Sequence, residues 1–404
     1  MPPKRHTRYP NTLIVNLQNF ITNCLYLPIM KALFFLLPFI LLSCKKPTEQ
    51  TQTATTNEAW TTFINGADLS YVNQIDRMGG VYRDSGKVKD AFSIFAQHGC
   101  NLVRVRLWHN PAWSLNLNGT TPHGDLADAT QTLRRAKAVG MATLLDVHYS
   151  DTWTDPHKQE TPAAWRGLSQ AILEDSVYKY TLRTLNVLVA DGLTPDMIQI
   201  GNENNIGMCH PRGAISGRNY TNFGKLLNAG IRAVRTFSKN SATKPIVVLH
   251  VAQFQDAVSW GDGITAAGVT DYDVFGVSHY PKWTTVQSID SVSIMVDLLK
   301  KRYGKKVVIL ETATPFTTEG ADSYNNIIGT APKGFELTPA GQLAYLKALK
   351  AQVKAGGGSG VIYWEPAWIT SNMRDLWGKG SAWENCTLFD LKGNTQLGME
   401  WMRP

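Results

Sequence analysis

IQIGNENNIG, Ile198 to Gly207, is an apolar run that ends in Gly-Asn-Glu and then meets two more asparagines. A short apolar run bounded by Gly and Asn is consistent with a fully buried strand of a parallel sheet. With Met197 in front it gives MIQIGNE (197–203), and seven more stretches share its make-up. They are FINGADLS (63–70), LVRVRLW (102–108), ATLLDVHYS (142–150), PIVVLHVA (245–252), VFGVSHYP (274–281), KVVILETA (306–313) and GVIYWEPAW (360–368). Amphipathic stretches lie between them. DLADATQTLRRAKAVG (125–140) puts Leu126, Ala129, Leu133, Ala136 and Val139 on one face. Residues 176–192, 220–237 and 338–356 repeat that period, and Gly140, Gly192 and Gly356 supply stop signals. Strand alternating with helix marks βα units of the α/β class. Eight such units predict a closed (β/α)8 TIM barrel as a single catalytic domain. An open doubly wound sheet is the competing architecture, but no GxGxxG or phosphate loop accompanies it.

Such a barrel carries its active site at the C-terminal ends of the strands. Polar and aromatic residues gather there: Arg-Leu-Trp, Asp-Val-His-Tyr, Gly-Asn-Glu, His-Tyr-Pro, Glu-Thr and Tyr-Trp-Glu. Glu203 and Glu311 each follow an apolar run directly. Cleaving an acetal needs two carboxylates, one to protonate the leaving oxygen and one to attack carbon or activate water. A lone strand-end Glu is more often structural; this pair, in this company, points to catalysis. Asn202 beside Glu203 suits a sugar hydroxyl. Tyr280 ends the sixth run and is placed to donate to Glu311. Arg104 and Arg106 share one strand face, and an Arg inside a barrel needs a carboxylate partner. Trp364 is a candidate sugar platform, with Trp108, Trp153, Trp165, Trp283 and Trp368 available to extend it; core filling accounts for about half of such residues. His148, His279 and Asp151 are further candidates for hydrogen bonding to substrate. Their spacing matches no zinc motif, so no metal is expected there.

The net charge of +8 comes largely from six cations in residues 1–46, which contain no acid. The remainder carries no basic patch that would suit nucleic acid. Residues 1–44 read as a leader. Met30-Lys31 opens a short apolar run that ends Leu41-Leu42-Ser43-Cys44, a lipoprotein-type signal with Met30 as the expected start. Residues 45–59 read as a flexible linker and 60–404 as the catalytic domain. The expectation is export across the inner membrane and a lipid anchor on Cys44, at a bacterial outer membrane or cell surface. A monomer is expected. Cys100, Cys209 and Cys386 form no disulfide framework or zinc spacing. The loop PFTTEGADSYNNIIG (315–329) holds Glu319, Asp322, Asn325 and Asn326. These oxygens could bind Ca²⁺, but the EF-hand pattern is absent and a solvated loop is the simpler reading.

NGADLSYV, GCNLVRVRLWHNP, LLDVHYSDTWTDPHKQETPAAW, IQIGNEN, FGVSHYPKW, VVILETATPF, GVIYWEPAW and WENCTLFD together resemble glycoside hydrolase family 53, the endo-β-1,4-galactanases. The resemblance implies a retaining hydrolase of β-1,4-galactan or arabinogalactan side chains of pectin. It implies Glu203 as acid/base and Glu311 as nucleophile. Glu203 must then act as acid and later as base, and its pKa is expected to rise when Glu311 is esterified. Some bacterial members bind calcium in the loop after strand 7. Asn204 stands where the family usually has Ile, so Asn204 and Asn205 are expected to reshape the leaving-group side. Another endo-glycanase of the clan, a mannanase or xylanase, and a non-catalytic glycan-binding lipoprotein are the alternatives.

Overall fold

The computed structural model describes residues 62–119 and 122–403. The leader, the Cys44 anchor and the linker lie outside them. Each of the eight apolar runs supplies one parallel strand: β1 Ile64–Asp68, β2 Leu102–Leu107, β3 Ala142–Val147, β4 Met197–Ile200, β5 Ile246–Ala252, β6 Val274–Ser278, β7 Lys306–Glu311 and β8 Gly360–Tyr363. Each pairs with its sequence neighbours, and β1 pairs with β8 (Ile64 opposite Gly360) to close the barrel. No helix among the described residues is long and apolar enough to cross a membrane.

Nine helices are described: α1 Val72–Arg77, α2 Ala91–Gln97, α3 Ala112–Asn118, α4 Leu126–Ala138, α5 Gln170–Ala190, α6 Thr221–Lys239, α7 Phe254–Ala266, α8 Ser291–Tyr303 and α9 Pro339–Ala355. Helix α5 begins at Gln170 rather than 176, because Ser169 caps it by accepting the Ile172 amide. Helix α7 carries two glycines, Gly261 and Gly263, in its interior. Both are needed for close approach: a Cβ on Gly261 would sit 2.4 Å from the Tyr303 ring, and one on Gly263 2.3 Å from the Tyr220 ring.

Side chains alternate across each strand, so one face fills the barrel and the other packs on helices. The floor of the barrel is apolar: Ile64, Leu102, Leu144, Met197, Val248, Val274, Val308, Leu310 and Ile362. One period further along, the interior turns polar with Asp68, Arg104, Asp146, Gln199, His250, Ser278 and Glu311, all buried. Strand β7 breaks the alternation. Ile309 faces Val277, yet Glu311 faces Ser278, so Leu310 is an extra residue. This bulge lets Leu310 and Glu311 both turn toward the barrel axis. Gly276 makes the room: a Cβ there would lie 2.1 Å from Leu310 Cδ1.

Candidate active site

A cleft of about 660 Å³ opens over the polar layer. Glu203 follows β4 and Glu311 ends β7. One oxygen of each, and a ring nitrogen of His250, lie within 4.8 Å of one another. Their surroundings differ. Arg104 Nη1 grips Glu311 Oε1 at 2.9 Å, and the Tyr280 hydroxyl donates to Glu311 Oε2 at 2.8 Å. Among the described residues no cation pairs with Glu203; Ser278 Oγ meets its Oε1 at 2.6 Å. Burial raises both carboxyls. Glu203 is pushed well up, first by desolvation and then by the Glu311 charge. Glu311 is raised less, because Arg104 and Tyr280 stabilise its charged form.

Arg104 is the hub of the polar layer. Its Nε donates to Gln199 Oε1 at 3.1 Å. Nη1 serves Asp68 and Glu311, and Nη2 serves Asp146 and the Asn202 side-chain oxygen. All five guanidinium donors are therefore used, as a buried cation requires. Asn202 is locked further by donating to Thr154 O at 2.9 Å. Residues at the strand ends hold uncommon backbone: Tyr149, Glu203, Gln253 and Glu365 have φ of 51, 44, 60 and 47°. For non-glycine residues this left-handed region is strained, and such strain concentrates at functional sites.

His148 lines the cleft and bonds Asp146 through Nε2 at 3.0 Å. Trp364 forms part of the wall, propped edge-on by Trp383 with ring centres 4.7 Å apart. Trp153, Trp283 and Trp368 also line it.

Four residue assignments made from the sequence need correction. Trp108 is fully buried, because the segment reaching Gly124 folds over it; its ring packs under Trp153 with centres 5.1 Å apart. It supports the wall rather than meeting substrate. Asp151 accepts the Ala163 amide at 2.7 Å and pairs with His109 at 3.3 Å, outside the cleft. It fastens the loop after β3. His279 follows Ser278, and the two-residue period that turns Ser278 inward turns His279 outward onto Phe254. Burial there lowers its pKa to about 4. Asn204 is likewise buried away from the cleft, near Gln159 and Gly207. Asn205 does line it, pinned between Ala252 and Asp256.

The expected change in Glu203 on esterification of Glu311 also reverses sign. The Glu311 charge is one of the forces raising Glu203, so neutralising it lowers the Glu203 pKa.

In the loop after β7, Asp322 accepts from the Thr370 hydroxyl at 2.9 Å, and Glu384 shares that hydroxyl. Glu384 lies outside that loop and also accepts from the Ala321 amide at 2.8 Å, which ties the loop to the segment after β8. The sequence reading also missed Ser278, His250, Tyr324, Asp375, Trp377 and Trp383. Ser278 and His250 had a usable signal, since each lies two residues beyond an inward-facing position. Tyr324 bonds Asp375 at 2.9 Å across two loops, and sequence carries no sign of that pairing.

Comparison with known proteins identifies the family of this barrel. The model of glycosyl hydrolase family 53 matches residues 64–402. The chain belongs to glycosyl hydrolase family 53. An arabinogalactan endo-β-1,4-galactanase of Cellvibrio japonicus is 46% identical over 336 residues, covering 82% of this chain and 87% of that protein. An endo-β-1,4-galactanase of Bacillus subtilis is 37% identical, covering 76% of this chain and 70% of its own. Among solved structures, the family 53 catalytic domain of Ignisphaera aggregans superposes with a TM-score of 0.76 at 32% identity, covering 84% of this chain and 95% of that one.

Proposed function

We propose that this family 53 hydrolase cleaves internal β-1,4-galactosidic bonds of galactan or arabinogalactan side chains of pectin, with retention of configuration. One observation carries the mechanism: two buried carboxylates within 4.8 Å, only one of them gripped by a cation. Retaining enzymes hold their carboxyls about 5–5.5 Å apart, whereas inverting ones leave about 6.5–9.5 Å for a water. Glu311, whose charged form Arg104 and Tyr280 stabilise against burial, attacks the anomeric carbon. Glu203, kept protonated by burial and by the Glu311 charge, protonates the departing oxygen. Ester formation removes that charge, the Glu203 pKa falls, and Glu203 takes a proton from water to release the sugar. Asn202 orients a sugar hydroxyl, and Trp364 covers an apolar sugar face.

The substrate assignment leans on the galactanase names of the relatives. A monomer anchored through Cys44 at the cell surface or outer membrane completes the reading. The chemistry asks for no cofactor. A calcium ion in the loop after β7, with Glu319, Asp322, Asn325 and Asn326, would show as a chelator-sensitive melting temperature restored by Ca²⁺.

Anomeric NMR during hydrolysis of linear galactan is the deciding test. Initial β-anomer is expected; initial α-anomer would sink the retaining mechanism. Faster release from mannan or xylan than from galactan would sink the substrate assignment.

A further inference from the structure

We infer that His250 and Ser278 form a positioning relay for Glu203, in which successive donated hydrogen bonds end on the carboxylate that handles the proton. The inference rests on the proposed acid/base role of Glu203. The two residues sit on neighbouring strands, β5 and β6, and both are fully buried in the polar layer. His250 Nε2 lies 2.9 Å from Ser278 Oγ, and Ser278 Oγ lies 2.6 Å from Glu203 Oε1.

The direction of this chain follows from the other ring nitrogen. The Glu203 backbone N–H points at His250 Nδ1 at 3.3 Å, and a backbone donor has a fixed hydrogen. Gln199 Nε2 lies 3.1 Å from the same atom and is a second donor. Asn202 Oδ1 is also close, at 2.9 Å, but Arg104 Nη2 already donates to it at 2.8 Å. Nδ1 is therefore the acceptor and Nε2 carries the hydrogen. Nε2–H donates to Ser278 Oγ, which leaves the Ser278 hydroxyl hydrogen free to reach Glu203. Burial, with the Arg104 charge adding to it, keeps His250 neutral, so the relay carries no competing charge. The same His250 nitrogen holds the Glu203 backbone in its left-handed turn, so aim and proton affinity are set together.

Other groups also face Glu203. The Glu311 carboxylate and Asp155 raise its proton affinity, and Arg104 lowers it; Tyr280 stands nearby as a neutral phenol. The relay opposes the first two. It keeps the carboxylate accessible once the leaving group has taken the proton, when Glu203 must act as a base.

Ser278→Ala tests this. A hydrogen bond to a charged group contributes enough to move a pKa by about one unit. Losing a donor to the ionised form raises the pKa. The alkaline limb of kcat/KM, which reports the protonated acid, should move up by about one pH unit. Ser278→Thr should restore the limb, and His250→Gln should leave it in between. An unmoved limb in a variant that melts like wild type reduces Ser278 to a packing role. A downward shift overturns the direction of the relay. If Ser278→Ala fails to fold, ¹³C titration of Glu203 in His250→Gln against wild type carries the same prediction. Azide rescue of Glu203→Ala on an activated aryl galactoside separates the premises. Without rescue the acid/base role itself fails; with rescue and an unmoved limb only the relay fails.

Discussion

Tyr280 and Arg104 give the two active carboxylates different lives. Both glutamates are buried and both are pushed up by desolvation, yet only Glu311 receives a cation and a phenol. Deleting one donor should therefore be legible in the pH profile. Tyr280→Phe keeps the ring, its edge-on contact with Trp283 and its packing on Trp383, and removes only the bond at 2.8 Å. A hydrogen bond to a charged group contributes about 1.5–3 kcal/mol, so kcat/KM should fall about 10- to 100-fold. The bond favours the ionised form. Its loss raises the Glu311 pKa, and the acid limb of kcat/KM moves to higher pH. A fall in rate with an unmoved acid limb would reassign Tyr280 to substrate binding. The placements of Asn202, Glu203, Tyr280 and Glu311 were legible because each ends an apolar run. Those of Trp108, Asp151 and His279 were not, because the run ends tell nothing of how the loops fold back over them.

At the scale of the element, the bulge in β7 decides what Glu311 can do. Strict alternation from Val308 and Leu310 would send Glu311 outward. The extra residue turns it in, and Gly276 on β6 supplies the space that Leu310 needs. Gly276→Ala would press its methyl against Leu310 and the Leu249 carbonyl, which lies 2.9 Å from the added Cβ. Overpacking of this kind costs about 1–3 kcal/mol. Denaturant unfolding should show that loss, and kcat should fall more than KM changes, since the nucleophile is re-aimed while the cleft walls stay. An unchanged kcat in a destabilised protein would mean that the bulge tolerates the methyl. A run of Val and Ile predicts a strand well. It does not reveal an extra residue, because a bulge is a property of two strands in register.

For the whole molecule, the buried titratable groups set a pH window of stability. Glu311 and Glu365 are raised by burial to about 7 and about 8, and Glu203 is raised as well. Such groups bind protons more tightly when folded, so their contribution is lost as pH rises from the unfolded value of about 4.3 through the folded ones. His123 and His279 are lowered by burial to about 3 and about 4, and His250 is lowered too. Their contribution is present above the unfolded value of about 6.5 and is lost as pH falls through the folded ones. The two sets oppose each other between about pH 4.5 and 6.5. The melting temperature should be flat there and should decline on both sides. A steady rise from pH 5 to 8 would contradict it.

The sequence by itself determined the barrel, the order of its strands, and the ends at which chemistry gathers. Those follow from burial: a strand covered on both faces must be apolar, and its open end need not be. Glu203 and Glu311 stood out for the same reason. Only the tertiary structure decided which side chains meet. Arg104 collects Asp68, Asp146, Asn202, Gln199 and Glu311 from strands far apart in the chain, and His250 reaches Glu203 through Ser278. Closure of the barrel brings these groups within hydrogen-bonding distance, and the β7 bulge aims the second carboxylate. Such contacts depend on the register and tilt of neighbouring strands, which no single strand encodes.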